Sequence, residues 1–247
     1  MIPPLDQIIA VILAGGFGTR IRHLLPDLPK PMAPVSGRPF LEWVVRYLAA
    51  QGIRRVTIST GYGAEKVEQH FRTQPVANVL VRCVPETEPM GTAGGFVNAV
   101  QSSPEPPPAW LVLNGDSLAF AALDPMAAAL DESAVAGVIL GVAMADASRY
   151  GTVVRNSKDD LIEFAEKQPG AGVINAGVYL LRAALVGEFP KRVPLSFEKE
   201  VFPELIARQV RLRVSASDAP FLDIGTPESL PEAERFIRDN RQQFEGL

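Results

Sequence analysis

Two glycine-rich stretches, two isolated acids and a few basic residues are where this 247-residue sequence offers chemistry. The first stretch is Leu13-Ala14-Gly15-Gly16-Phe17-Gly18-Thr19-Arg20. Gly15, Gly16 and Gly18 let the backbone come close to an anion and turn several N–H groups toward it, while the Arg20 guanidinium is a planar fork matched to phosphate oxygens. The composition is that of a phosphate loop, but of neither familiar kind. A Walker A loop ends in Gly-Lys-Ser/Thr, and a dinucleotide fingerprint needs Gly where Ile21 stands. A tight strand-to-helix turn is the plainer account of the same residues.

In Pro29-Lys30-Pro31 both neighbours restrict the backbone, so the segment is expected to be extended and stiff and to hold the Lys30 ammonium at low entropic cost. An ordinary surface lysine is the alternative. The second glycine-rich stretch is Glu86 followed by Pro89-Met90-Gly91-Thr92-Ala93-Gly94-Gly95, between an expected strand and an expected helix. Its backbone groups and Thr92 can meet the edge of a planar base, with the helix N-terminus adding positive potential. Otherwise it is a helix cap with a flexible entry.

Asp116, in Leu113-Asn114-Gly115-Asp116, and Asp223, in Leu222-Asp223-Ile224-Gly225, each follow an apolar run. Ligands of open α/β sheets collect beyond the carboxyl ends of strands, so the two acids are expected to meet there. With no thiolate or imidazole beside them in sequence they suit Mg²⁺, a hard ion that also takes phosphate oxygens. A turn or cap is the competing role for each. Glu166 and Lys167 close the second strand of an expected hairpin, and Asn175-Ala176-Gly177 interrupts an apolar strand, which marks either close approach of a ligand or a β-bulge. Tyr62 and Lys66 have the Tyr-x-x-x-Lys spacing of short-chain reductases, but no fitting cofactor fingerprint precedes them, and the match is a coincidence. His23 and His70 read as surface residues, and Cys83 as a buried strand residue.

These residues need a scaffold, and the hydrophobic pattern supplies one. Up to about residue 145, short β-branched runs alternate with helix-period segments, the pattern of βαβ units around a parallel sheet. Strands are expected at residues 8–13, 55–60, 79–84 and 110–113, and helices at 40–50, 64–71 and 93–100. Residues 102–109 carry four prolines and read as a stiff surface connection. Beyond residue 145 a hairpin is expected (151–155 with 161–165), then a strand at 172–181, a helix at 196–207 and a strand at 210–215. Thr226 looks like an N-cap, with Pro227 opening a helix through Phe236 and Ile237. No internal repeat is visible, and nothing after residue 225 has the pattern of a β-helix.

Composition narrows the function. Hydrophobic residues are 47% and charged residues 21%, ordinary for a soluble globular chain. A net charge of -4, from 24 basic and 28 acidic residues, gives no field for a nucleic-acid backbone, and no basic run or basic amphipathic stretch offers one to a membrane. Neither is an expected partner; a small anionic substrate remains open. No apolar run reaches the roughly 18 residues of a membrane span; those at 8–14 and 134–145 read as buried strands. Asp6 and the lack of a basic n-region argue against a secretion signal. Cys83 alone cannot form an intramolecular disulfide, which fits a cytoplasmic setting, and one Cys with two His is too few for a structural zinc site.

Taken together, residues 13–20, 29–31, 91–95, 114–116, 166–167, 175–177 and 223–226 resemble the sugar-1-phosphate nucleotidyltransferases, in the family's order. The resemblance implies an α/β fold, a Rossmann-like mixed, mostly parallel sheet flanked by helices. It implies a single domain over residues 1–247, with about 1–145 for the nucleotide and about 146–247 for the sugar. The implied enzyme joins a nucleoside triphosphate to a sugar 1-phosphate and releases pyrophosphate. The wording of residues 89–95 and 221–228 is most similar to guanylyltransferases acting on a heptose 1-phosphate, which makes GTP the expected nucleotide. Guanylyl transfer to mannose 1-phosphate and uridylyl transfer to an amino-sugar 1-phosphate are the neighbouring alternatives, and a silent nucleotide-sugar-binding regulator is the non-enzyme one.

Carried onto this sequence, the resemblance puts the triphosphate on Gly15, Gly16, Gly18, Thr19 and Arg20, and the base against Leu13, Ala14, Glu86, Gly91 and Thr92. Lys30 would neutralise the α-phosphate, Lys167 the sugar phosphate, and Asp116 and Asp223 would hold Mg²⁺. Asn114, Gly151, Glu166 and Asn175 would face the sugar. Such a reaction needs no general base, because a phosphomonoester with a second pKa of about 6 is already an ionised nucleophile. It needs in-line placement of two anions and neutralisation of charge at the α-phosphorus.

Overall fold

Apolar runs just long enough for strands, punctuated by helices with one apolar face, set the frame. The computed structural model describes residues 4–165 and 169–244. The chain opens with β1 (Ile9–Ala14). A hairpin of β2 (Pro34–Val35) and β3 (Arg38–Pro39), turning through Ser36 and Gly37 at positive φ, leads into α1 (Phe40–Ala50). Then come β4 (Arg55–Thr60), α2 (Ala64–Thr73), β5 (Leu80–Pro85), α3 (Gly91–Gln101), β6 (Ala109–Asn114), β7 (Ser117–Ala119), α4 (Asp124–Asp131) and β8 (Gly137–Met144). The remainder is β9 (Thr152–Arg155), β10 (Leu161–Ala165), β11 (Gly172–Arg182), α5 (Phe202–Ala207), β12 (Leu212–Ser217), β13 (Phe221–Asp223) and α6 (Glu232–Asp239).

Among the described residues, nine strands form one mixed sheet. β5, β4, β1 and β6 lie side by side and parallel. β11 then runs antiparallel to β6 and to β8, and β12 lies parallel to β8. The first half of β11 also meets β9, which carries β10 beyond it. The sheet is apolar on both faces, which is why β1 reads as a continuous run rather than an alternation. Ala10 and Ile12 face a core built with Phe40, Leu41 and Val44 of α1, Val67 of α2 and Met126 of α4. Ile9 and Val11 face the other, with Phe96 of α3 and with Phe197, Phe202 and Leu205. The family-level expectation of a mixed, mostly parallel sheet between helices therefore describes this chain.

The differences have local causes. The helix expected from Pro227 starts at Glu232, with Pro231 as N-cap. Had the helix begun at Pro227, Pro231 would sit in its interior without an N–H and against a carbonyl one turn back. The helix expected at 196–207 opens as a π-helical turn, Phe197–Val201, before α5. That extra residue moves Glu200 under the start, where its Oε2 accepts the Ser196 N–H at 2.7 Å, one position later than in an ordinary capping box. Helix α4 was not foreseen. Cys83 is half-buried rather than buried, and His70 lies against Glu42 at 2.9 Å rather than free on the surface.

Candidate active site

The loop after β1 runs along a cleft of about 450 Å³. Residues 13–20 form one wall, with Lys30, Glu86, Gly91, Thr92, Asn114 and Asp116 around it. Thus all nine residues expected to touch the nucleotide, together with Arg20, Lys30, Asn114 and Asp116, line one cavity. Arg20 is exposed at its rim. Glu166 and Lys167 lie outside the described residues.

Lys30 is not in an extended segment. Pro29 is extended, but a single 3₁₀ turn, Lys30–Met32, follows, closed by the Met32 N–H on the Pro29 carbonyl at 2.8 Å. Pro31 is tolerated because the first N–H groups of a helical turn have no partner to lose. Gly18, at φ +57, makes room: a Cβ there would lie 2.8 Å from the Lys30 Cβ. The stem is thereby buried, with Lys30 only 7% exposed, and its ammonium emerges between two acids. Nζ donates to Asp116 Oδ2 at 2.6 Å and stands 3.6 Å from Asp223 Oδ1. A buried ammonium without such partners would be costly.

The two acids do meet, though not because each ends a strand of the main sheet. Asp223 ends β13, which pairs antiparallel with β7 so that Ser117 faces Asp223. The Ile224 N–H then donates to the Asp116 carbonyl at 3.0 Å. A ladder of three residues on each side pins the carboxylates to one point. Their hard oxygens fit Mg²⁺, which binds through one or two carboxylates and takes its other ligands from phosphates and water. Among the described residues no group of three or more His, Cys, Asp or Glu could enclose a metal, so most ligands must come from elsewhere.

Glu86 reaches the cleft from the end of β5, where its carboxylate packs against Gly15 and Gly95. Oε1 accepts the Ser59 hydroxyl at 2.9 Å and Oε2 the Met90 N–H at 3.4 Å. The start of α3 is less free than the sequence implies. Its Ala93 and Gly94 N–H groups both donate to the Leu195 carbonyl, at 2.9 and 3.1 Å. The Thr92 hydroxyl accepts the Phe197 N–H at 3.0 Å and donates to Glu198 Oε2 at 3.2 Å. With no side-chain cap on α3, a carbonyl from a distant loop satisfies the amides instead.

On the far side, β11 breaks register between Asn175 and Tyr179, so the interruption is a β-bulge. Gly177, at φ +69, lies under Asn114: a Cβ there would be 2.2 Å from the Asn114 Nδ2. The Asn175 N–H donates to the Gly151 carbonyl at 2.9 Å. Asn175 and Gly151 are therefore joined to each other and reach the cavity wall through Gly177 and Asn114.

A family model described as nucleotidyl transferase matches residues 9–240. The chain belongs to the nucleotidyl transferase family. Among its relatives, the D-glycero-alpha-D-manno-heptose 1-phosphate guanylyltransferase of Campylobacter jejuni is 34% identical over 89% of this chain and 95% of that protein. A mannose-1-phosphate guanylyltransferase of Mycobacterium tuberculosis is also 34% identical, over 98% of this chain but 66% of that protein. The crystal structure of HddC from Yersinia pseudotuberculosis complexed with GMP-PN superposes with a TM-score of 0.81 at 31% identity, covering 92% of this chain and 98% of that one. Among the described residues of this nucleotidyl transferase, no helix is long and apolar enough to cross a membrane.

One feature of the site lay outside the sequence reading: Glu198. Its signal was the Ser196-Phe197-Glu198-Lys199-Glu200 run, which announces a capped helix start and says nothing of the cleft.

Proposed function

We propose that the chain is a guanylyltransferase that transfers GMP from GTP to a heptose 1-phosphate, releasing pyrophosphate, in the cytoplasm. Glu86 carries the choice of base. An ionised carboxylate only accepts hydrogen bonds, and guanine offers it two adjacent donors, N1–H and the N2 amine, whereas uracil and adenine set an acceptor directly beside their single donor group. The heptose is favoured by the wording of residues 89–95 and 221–228 and by the likeness to heptose 1-phosphate guanylyltransferases, 34% and 36% identical over 89% and 93% of this chain.

In this reading the backbone of residues 15–19 and Arg20 grip the triphosphate, and Leu13, Ala14, Gly91 and Thr92 border the base. Residues 1–145 form the nucleotide half and 146–247 the sugar half, with Asn114, Gly151, Glu166 and Asn175 on the sugar and Lys167 on its phosphate. Lys30 leaves the two acids for the α-phosphate as the triphosphate enters, neutralising charge that grows there during attack. Asp116 and Asp223 would hold Mg²⁺, which when bound would supply further charge neutralisation on the phosphate oxygens. The sugar phosphate attacks in line, the α–β phosphoanhydride bond breaks, and pyrophosphate leaves with the electron pair. Four nucleoside triphosphates assayed against a panel of sugar 1-phosphates test the reading by pyrophosphate release. GTP with the heptose 1-phosphate should give the highest kcat/KM; preference for mannose 1-phosphate or for UTP would overturn it.

A further inference from the structure

Among the described residues, Glu198 has three hydroxyl donors and no basic partner in contact. Oε1 accepts from the Tyr179 hydroxyl at 2.9 Å, and Oε2 accepts from Ser196 at 2.9 Å and Thr92 at 3.2 Å. The direction of these bonds is forced. A carboxylate can only accept, so the fully buried Tyr179 must give its proton to Glu198 and keep its lone pairs for another donor. Burial first, and then the Glu198 charge, hold that phenol well above its ordinary pKa, so it remains a hydroxyl. The donor it meets is Asn175 Nδ2, at 2.9 Å, which turns Asn175 Oδ1 to the Gly177 N–H at 3.0 Å. The Gly177 N–H can only donate and so places Oδ1; the Glu198 charge, two residues along the network, holds Tyr179 in the direction that gives Nδ2 an acceptor on the other side.

We infer that Glu198 is a positioning residue that, through Tyr179, keeps the second anchor of the Asn175 amide on the sugar side and holds the Thr92 hydroxyl on the base side, from a single carboxylate outside the cavity. It touches neither substrate. The inference rests on the proposed function, because only there does Asn175 face a sugar. Gln at 198 has nearly the same shape but carries a donor, which lets Tyr179 reverse and takes the acceptor away from Asn175 Nδ2, so that the amide is held by the Gly177 N–H alone.

The test is steady-state kinetics of pyrophosphate release with GTP and the sugar 1-phosphate that wild type turns over best. Tyr179→Phe cuts the link to Asn175 and leaves Thr92 on Glu198. It should raise KM for the sugar phosphate about tenfold, the loss of roughly one well-placed hydrogen bond, with KM for GTP unchanged. Glu198→Gln should raise both, the sugar phosphate more. Glu42→Gln, in a buried ion cluster between α1 and α2, is the control: it should lower the melting temperature and move neither KM. A sugar-phosphate KM within twofold of wild type in both variants would overturn the inference. So would losses that merely track melting temperature, as a structural role predicts. Tyr179→Phe removes one oxygen atom, so it decides the matter even if Glu198→Gln fails to fold. Wild type that releases no pyrophosphate from any pairing defeats the proposed function itself, before the variants are compared.

Discussion

The two sides of the cleft are built differently. The wall assigned to the nucleotide is nearly continuous in sequence: residues 13–20 supply most of it, directly after a parallel strand. The opposite side has no such unit. Asp116 and Asp223 are brought together by a ladder of three residues a side, and Asn175 is aimed by a bulge, a buried tyrosine and a carboxylate from another loop. A site made from one loop tolerates change at a distance; a site made from long-range pairing depends on residues that never meet the ligand.

Substitutions should separate the two sides. The largest effect is expected at their junction, where Asp116→Ala removes one of the two acids proposed to hold Mg²⁺ and the nearest partner of a buried ammonium. A loss in kcat of about 10³ is expected in Mg²⁺-dependent pyrophosphate release; intact turnover would remove Asp116 from the metal site. Lys30→Met should lower kcat by about 10² and let Mn²⁺ bind about tenfold more tightly without nucleotide, because the ammonium no longer competes for the acids. A change in KM alone would make Lys30 a positioning group. On the nucleotide wall, Glu86→Gln should cut the preference for GTP over UTP by about tenfold or more in competition assays, with sugar-phosphate KM unaffected. Asn175→Ala should do the reverse, raising sugar-phosphate KM about tenfold and sparing GTP.

The smallest effect on turnover belongs to Glu42, distant from both walls. Burial pushes its carboxyl up, but hydrogen bonds from Arg46, His70 and Arg38 outweigh that and hold it below its usual 4.5. A depressed pKa contributes stability that is present above about pH 4.5 and is lost as pH falls through the lower folded value. Glu42→Gln should therefore melt earlier than wild type at neutral pH, by an amount on the order of 2 kcal/mol, and converge with it in acid. Thermal melts across that range check the sign.

Much of this was legible in the residues. Apolar periodicity located α1 and the first parallel strands, because a strand buried on both faces and a helix with one apolar face leave distinct patterns. The glycine-rich loop was legible as a cavity wall because three glycines after a parallel strand leave its backbone open to a ligand. What escaped was set by partners remote in sequence. Three-residue strands such as β7 and β13 carry too few positions for a period. The early start assigned to the last helix ignored Pro231. Thr92 looked available to a ligand because nothing nearby in the chain reveals that Phe197 and Glu198 occupy its hydroxyl.

Lys30 supplies from within the chain the positive charge that two converging carboxylates require. Assembly of the fold then has no need of a divalent ion to quench their repulsion, unlike small domains that stay unfolded until metal arrives. A chelator should stop catalysis and leave the melting temperature where it was, so scarcity of the ion idles the protein without exposing it to degradation.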